Sequence, residues 1–229
     1  VLAGGGGTAF GAVGHSGWNN RGTKDGNITL DAGGNVDLDA GTGGNSYVQI
    51  GHGGIGNGAV GAKTGKISVM SDGAAGVTVN AGNAASSFGM IGHGGLNSDG
   101  NVNEIVSINA TAGQVAFTAG GGNDSFVQAG HGGRISSGDF AGRVEINGTS
   151  VSFLGGSGSR AFAMAGHGGD NANAATAASR SGDIGIAART GDLTFTGGTG
   201  LESFAQLGHG GFGSAGTNAG NIVARAGGA

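Results

Sequence analysis

Six histidines are the only side chains in this sequence whose type and spacing could do chemistry together. Each sits in one short motif: Gly14-His15-Ser16-Gly17, then Gly-His-Gly-Gly around His52, His93, His131, His167 and His209. No other His exists in the chain, and the intervals between these six are nearly even. Imidazole is the commonest metal ligand at neutral pH. A regular row of His15, His52, His93, His131, His167 and His209 could therefore hold a divalent transition metal. Against that, the chain has no Cys. No carboxylate recurs at a fixed offset from the His, whereas a zinc site gathers four ligands of mixed type. The first reading is that each His fills a turn corner and bonds to backbone or to the next His. On it no cofactor is expected, and a metal-loaded ladder is the alternative.

The spacing demands repeated elements to carry the histidines. Five places before each His stands an aromatic: Phe10, Tyr47, Phe88, Phe126, Phe162 and Phe204. It opens a short stretch A, such as Ser46-Tyr47-Val48-Gln49-Ile50. A stretch B, such as Ile67-Ser68-Val69, follows each His at a distance that varies from unit to unit. A stretch C, such as Val77-Thr78-Val79, comes after B at a shorter distance that also varies. Apolar residues alternate with small or polar ones in B and C, which is the period of a half-buried strand. The step from C to the next His is different. Its first apolar residue is Val36, Val77, Val115, Val151 or Leu193, and His52, His93, His131, His167 and His209 follow at one constant interval. Fixed length keeps the alternation of A in phase with C, because one extra residue would turn every side chain to the other face. The variable connections belong in outward loops. The longest holds an Ala-rich stretch at residues 171–178.

Six units of about 38 residues, a period typical of repeat architectures, fill the chain. With three short strands each and no helix, they predict an all-β parallel β-helix, or β-solenoid. Residues 1–229 read as a single repetitive segment of about six rungs. One unit per rung is the simplest form; two coils per unit and a propeller of blades are the alternatives. The aromatic column is expected to stack ring over ring inside. The column three before His alternates Gln and Met (Gln49, Met90, Gln128, Met164, Gln206), so buried amides there must find partners in each other or in corner backbone. Pro is absent, as interior strands that donate hydrogen bonds on both sides require. There are 59 Gly, many at corners, where positive φ or close backbone approach is needed.

Composition excludes several functions. Net charge is -4 and the ten Lys and Arg are scattered, which does not fit a nucleic-acid binder. No apolar run approaches the roughly 20 residues of a membrane helix. Acids are spread, with Asp37 and Asp39 the only close pair on one strand face, and no Ser-His-Asp set recurs, so no enzyme activity is expected. The chain starts at Val1 without Met or a signal peptide, which suggests a piece of something longer or a processed product.

Gly182-Asp183-Ile184-Gly185-Ile186-Ala187 and Gly191-Asp192-Leu193-Thr194-Phe195-Thr196, strung with Ala-Gly-Gly corners, resemble the repeat regions of filamentous-haemagglutinin-type adhesins. These are bacterial exoproteins of two-partner secretion, or related autotransporter passengers. The resemblance implies a right-handed parallel β-helix at the cell surface or outside the cell, acting in adhesion or biofilm. It implies as partners other copies or neighbouring chain, and host or neighbouring cell surfaces or glycans. Family coils are often only about half as long as this unit, and the characteristic secretion domain is not visible. The expected function is a structural shaft or self-stacking fibre; the alternative is a ligand-binding module that uses the variable loops or a metal-loaded His ladder.

Overall fold

A computed structural model describes residues 1–56, 61–172 and 178–227. The described residues hold strands, turns and no helix. The middle of the Ala-rich stretch, residues 173–177, lies outside them. The chain is a β-solenoid in which one sequence repeat makes one turn. Strand A of each turn pairs in parallel with strand A of the next, in the order Phe10–Val13, Tyr47–Ile50, Phe88–Ile91, Phe126–Ala129, Phe162–Ala165 and Ala205–Leu207. Sheet B runs from Ile28–Ala32 through Ile67–Ser71, Val106–Ala110, Val144–Gly148 and Ile184–Ala188 to Ile222–Ala226. Sheet C has five strands, from Val36–Asp39 to Leu193–Thr196. Every pairing joins equivalent residues one repeat apart, as in Tyr47 with Phe88 or Ile67 with Val106. Two coils per unit would separate equivalent strands by an intervening rung, and propeller blades would need antiparallel hairpins. Neither arrangement occurs among the described residues.

The three predicted strands are joined by two short ones. Strand D follows the His (Ser16–Trp18, Gly53–Ile55, Gly94–Leu96, Gly132–Arg134). Strand E precedes B (Lys24–Asp25, Lys63–Thr64, Val102–Asn103, Phe140–Ala141, Ser179–Ser181, Thr217–Ala219). Strand D is mostly glycine, so it has no side-chain alternation to show in the sequence. Its position changes the cross-section. D packs over the outer face of sheet A, so strand A is buried on both faces. One face sends Val48, Ile50, Ile91 and Val127 into a main core with the inward residues of B and C, among them Val69, Val79, Ile108 and Phe117. The other face sends Tyr47, Phe88, Met90, Phe126, Phe162 and Met164 into a second core closed by Ile55 and Leu96. Full burial of each such side chain contributes roughly 1.5–3 kcal/mol.

The aromatic column is a ladder, and it stands in the second core. Rings from Phe10 to Phe204 stack at centroid distances of 4.7 to 5.1 Å and lie within 6° of parallel. The strand spacing of about 4.8 Å sets that distance directly. Phe117, Phe153 and Phe195 form a shorter ladder in the main core at 4.7 and 4.9 Å. Tyr47 sits among the Phe rings with its hydroxyl 3.1 Å from Ser16 Oγ, and burial pushes its phenol up to about 12.

Turns are tied together outside the strands as well. Asn and Asp side chains of one turn accept a backbone N–H of the next: Lys66 donates to Asn27 at 2.9 Å, Gly121 to Asn83 at 2.8 Å, Ser159 to Asn123 at 3.0 Å and Asn221 to Asp183 at 2.8 Å. The glycine after strand C lets turns approach closely. A Cβ at Gly120 would stand 1.9 Å from the Gly82 carbonyl oxygen.

Positive φ outside glycine falls in two columns. Thr8, Asn45, Ser86, Asp124, Arg160 and Glu202 make the first, just before strand A; Asn19, Asn97, Ile135 and Asn171 make the second, just after strand D or its equivalent. Asn tolerates this conformation and a β-branched residue does not. Ile135, at φ 53° and 42% exposed, is the strained member of its column. Ile135→Asn is therefore expected to stabilise the protein by about 1 kcal/mol. A urea midpoint that falls instead of rising would contradict this.

Candidate functional site

The six histidines form one column along the corner between strands A and D. Strand A runs into a glycine of φ between 132° and 156° in every turn, and the His follows directly. Neighbouring rings stack at 4.8 to 5.1 Å. From His52 onward each ring spends both nitrogens on the preceding turn. The backbone N–H of the preceding His donates to Nδ1: His15 to His52 and His52 to His93 at 2.9 Å, His93 to His131 at 3.1 Å, His131 to His167 at 3.0 Å, His167 to His209 at 3.1 Å. Nδ1 thus carries no proton, and Nε2–H donates to a carbonyl just before strand B. These carbonyls are Gly26 for His52 (2.9 Å), Gly65 for His93 (2.7 Å), Glu104 for His131 (2.9 Å), Gly142 for His167 (2.9 Å) and Gly182 for His209 (2.8 Å).

Each imidazole is therefore a bridge across the preceding turn, from the start of strand D to the entry of strand B. The neighbouring bond partners set one tautomer along the seam. Burial holds the rings neutral. It pushes His93 down to about 4 and His167 down to about 3, and it carries His131 well below the ordinary imidazole value. His52 and His209 are lowered for the same reason. A metal on this ladder would have to displace at least one hydrogen bond from each ring it used. Among the described residues no three His, Asp or Glu side chains stand close enough to hold a metal ion.

The Gln residues of strand A serve the same seam from the second core. Gln49 Nε2 donates to Gly92 O and Gly94 O, at 3.0 and 3.1 Å, the carbonyls on either side of His93. Gln128 does the same to Gly166 O and Gly168 O around His167, at 2.9 and 3.2 Å. Of the two partners expected for these amides, corner backbone is the one they take. Met90 and Met164 fill the intervening turns.

Two polar groupings have no repeat signature in the sequence. The first is the inward column of strand E: Lys24, Lys63, Val102, Phe140, Arg180 and Asn218. Lys63 is 1% exposed, and its Nζ donates to Asp99 O at 2.6 Å and to Gly61 O at 3.4 Å. Lys24 Nζ donates to Asn20 O at 2.6 Å and to Gly22 O at 3.0 Å. Burial, with Lys24 adding repulsion, pushes Lys63 down to about 8. Arg180 donates from Nε to Asn218 Oδ1 at 2.8 Å.

The second grouping replaces apolar residues of the strand D column. Arg134 and Asp170 succeed Ile55 and Leu96 there and pair at 2.8 Å. Arg134 also meets Asp124 at 3.0 Å, and Arg160 meets the same Asp124 oxygen at 2.9 Å. Asp170 is fully buried, and burial pushes its carboxyl up against the pull of Arg134. Asp170→Ala would leave the Arg134 charge buried beside Asp124 alone. It is expected to cost about 3 kcal/mol, and Arg134→Leu/Asp170→Leu to recover most of that. Chemical denaturation of the three proteins checks this; a double variant no better than Asp170→Ala would contradict it.

Comparison of the chain with protein-family models, characterised proteins and solved structures finds no match. The likeness to filamentous-haemagglutinin-type repeats accordingly rests on the residues of the repeat.

Proposed function

We propose that this chain is a structural segment that works outside the cell, as the shaft of a bacterial surface adhesin or as a fibre built by stacking turns. One observation carries the reading. Every turn presents the same arrangement to the next: the His bridge, the paired strands and the stacked rings. Such a lattice adds turns without a change of design, whether they belong to one chain or to stacked copies. Each turn lengthens the rod by about 4.8 Å. The stability of an array of this kind grows with the number of neighbour interfaces. The adhesin-type repeat residues support the extracellular placement.

Electron microscopy of the intact assembly tests the shaft, and antibody labelling of unbroken cells tests the location. Rods of constant width labelled at the surface are expected. Compact particles, or label reached only after lysis, would overturn the reading. A second reading, a ligand-binding module, draws support from a trench on sheet B.

A further inference from the structure

We propose that the outer face of sheet B carries a binding site for a short neutral oligosaccharide, seated on strand Ile184–Ala188. The column of outward residues there reads Thr29, Ser68, Ser107, Glu145, Gly185, Val223. The next reads Asp31, Met70, Asn109, Asn147, Ala187, Arg225. Only in this turn are both outward positions reduced to Gly and Ala, with full side chains on each flank. The result is a trench of about 340 Å³. That volume lies within the range of small-molecule sites, about 300–1,000 Å³. A Cβ added at Gly185 would meet nothing within 4 Å, so the floor is open.

The walls decide the class of occupant. One wall carries Arg143, Glu145 and Asn147; the other carries Asn221 and Arg225, and Asp183 stands at the entrance. Glu145 is held by Arg143, and Asp183 Oδ1 by the backbone N–H and Nδ2 of Asn221 at 2.8 and 3.1 Å. Fixed groups lose less freedom on binding. Carboxylates accept, guanidinium donates, and the amide does both. A neutral polyhydroxyl chain can match all of them at once. A polyanion would meet Glu145 and Asp183, and a polycation would meet Arg143 and Arg225. An added peptide strand has nothing to pair with, because Ile184–Ala188 already pairs with a strand on each side. The flanking turns lie about 9.6 Å apart, two strand spacings, which gives a slot one chain wide. The Gly185 and Ala187 floor offers C–H surface to a sugar face. The proposal stands apart from the shaft reading and does not need it.

Isothermal titration of the full chain tests it, with the tetrasaccharides of β-1,4-glucose, α-1,4-glucose, β-1,4-N-acetylglucosamine and β-1,4-galactose as probes. A heparin tetrasaccharide and a hexalysine peptide serve as charged comparisons. At least one neutral probe is expected to bind. Gly185→Tyr, which fills the trench, is expected to weaken that binding at least about tenfold. Its melting curve should match the parent, because the site is an exposed strand position. Should Gly185→Tyr fail to fold, Asn147→Ala/Arg225→Ala removes wall groups instead and is expected to weaken binding in the same direction. No binding by any neutral probe, preference for either charged comparison, or unchanged affinity in the folded variants would overturn the proposal.

Discussion

Gly130→Ala is expected to destabilise the protein by about 4 kcal/mol, at the upper end of single-substitution effects. Two causes act together. Gly130 has φ 136°, a conformation that L side chains rarely adopt. A Cβ there would also stand 2.1 Å from the Gly166 carbonyl oxygen of the next turn. That oxygen cannot retreat freely, because it accepts Gln128 Nε2 at 2.9 Å. Nor can the turn move as a unit, since the His131–His167 and Phe126–Phe162 stacks fix its height at both corners of strand A. The same contact recurs along the column, at 1.8 Å for Gly51 and 2.2 Å for Gly14. Urea denaturation followed by circular dichroism measures the cost. Gly185→Ala, on the open outer face, is the comparison and should change little. A Gly130→Ala cost below about 1 kcal/mol would show that the corner has slack and that glycine is dispensable there.

Acid is expected to have the second large effect. His93, His131 and His167 are fully buried in the neutral form, with their pKa values depressed by that burial. Below the ordinary value of about 6.5 the unfolded chain takes up protons that the folded chain refuses. Stability is therefore complete above pH 6.5 and falls as the pH drops towards the folded values, about 4 for His93 and about 3 for His167. Each pH unit in that window costs about 1.4 kcal/mol for each such histidine. Asp170, whose carboxyl is raised by burial, acts in the opposite sense, but it is one group against three. Three histidines together should remove most of the stability of a typical domain before pH 4 is reached, given that such stabilities are about 5–15 kcal/mol. Urea midpoints at pH 7, 6 and 5 should fall in sequence. A flat profile over that range would mean that the rings accept protons without breaking the seam, contrary to the bond pattern of Nδ1.

Much of this arrangement can be read from side-chain periodicity. Strands B and C announce themselves by alternation, and the constant interval from C to His fixes how they meet strand A. The aromatic and His columns are visible because one residue type returns at one offset. Other features leave no such trace. Strand A is apolar at successive positions, as in Tyr47-Val48 and Phe126-Val127, because it has a core on each side; alternation cannot reveal which core a residue enters. Strand D is built from glycines, which carry no pattern. The Lys63 column changes chemical type from turn to turn, so Lys, Val, Phe and Arg at equivalent places look unrelated until the backbone register aligns them. Arg134 and Asp170 lie a whole repeat apart in a column otherwise apolar, and only the fold makes them a pair. That the His bond to corner backbone is expected from the sequence, but which main-chain atoms they reach is not, because every residue possesses such atoms.

The one-repeat-per-turn register also governs how the chain must assemble. Adding a turn closes a loop of about 38 residues, at an entropic cost of about 3 kcal/mol. That cost is the same for the fifth turn as for the second, because each turn pairs only with its neighbours. The first two turns have no template, so they form the slow nucleus. Later turns are copied onto a finished edge that already displays its strand bonds, ring faces and imidazole partners. A defect at one corner then does more than weaken a contact: it stops the copying, and the solenoid divides into two shorter arrays on either side of the fault.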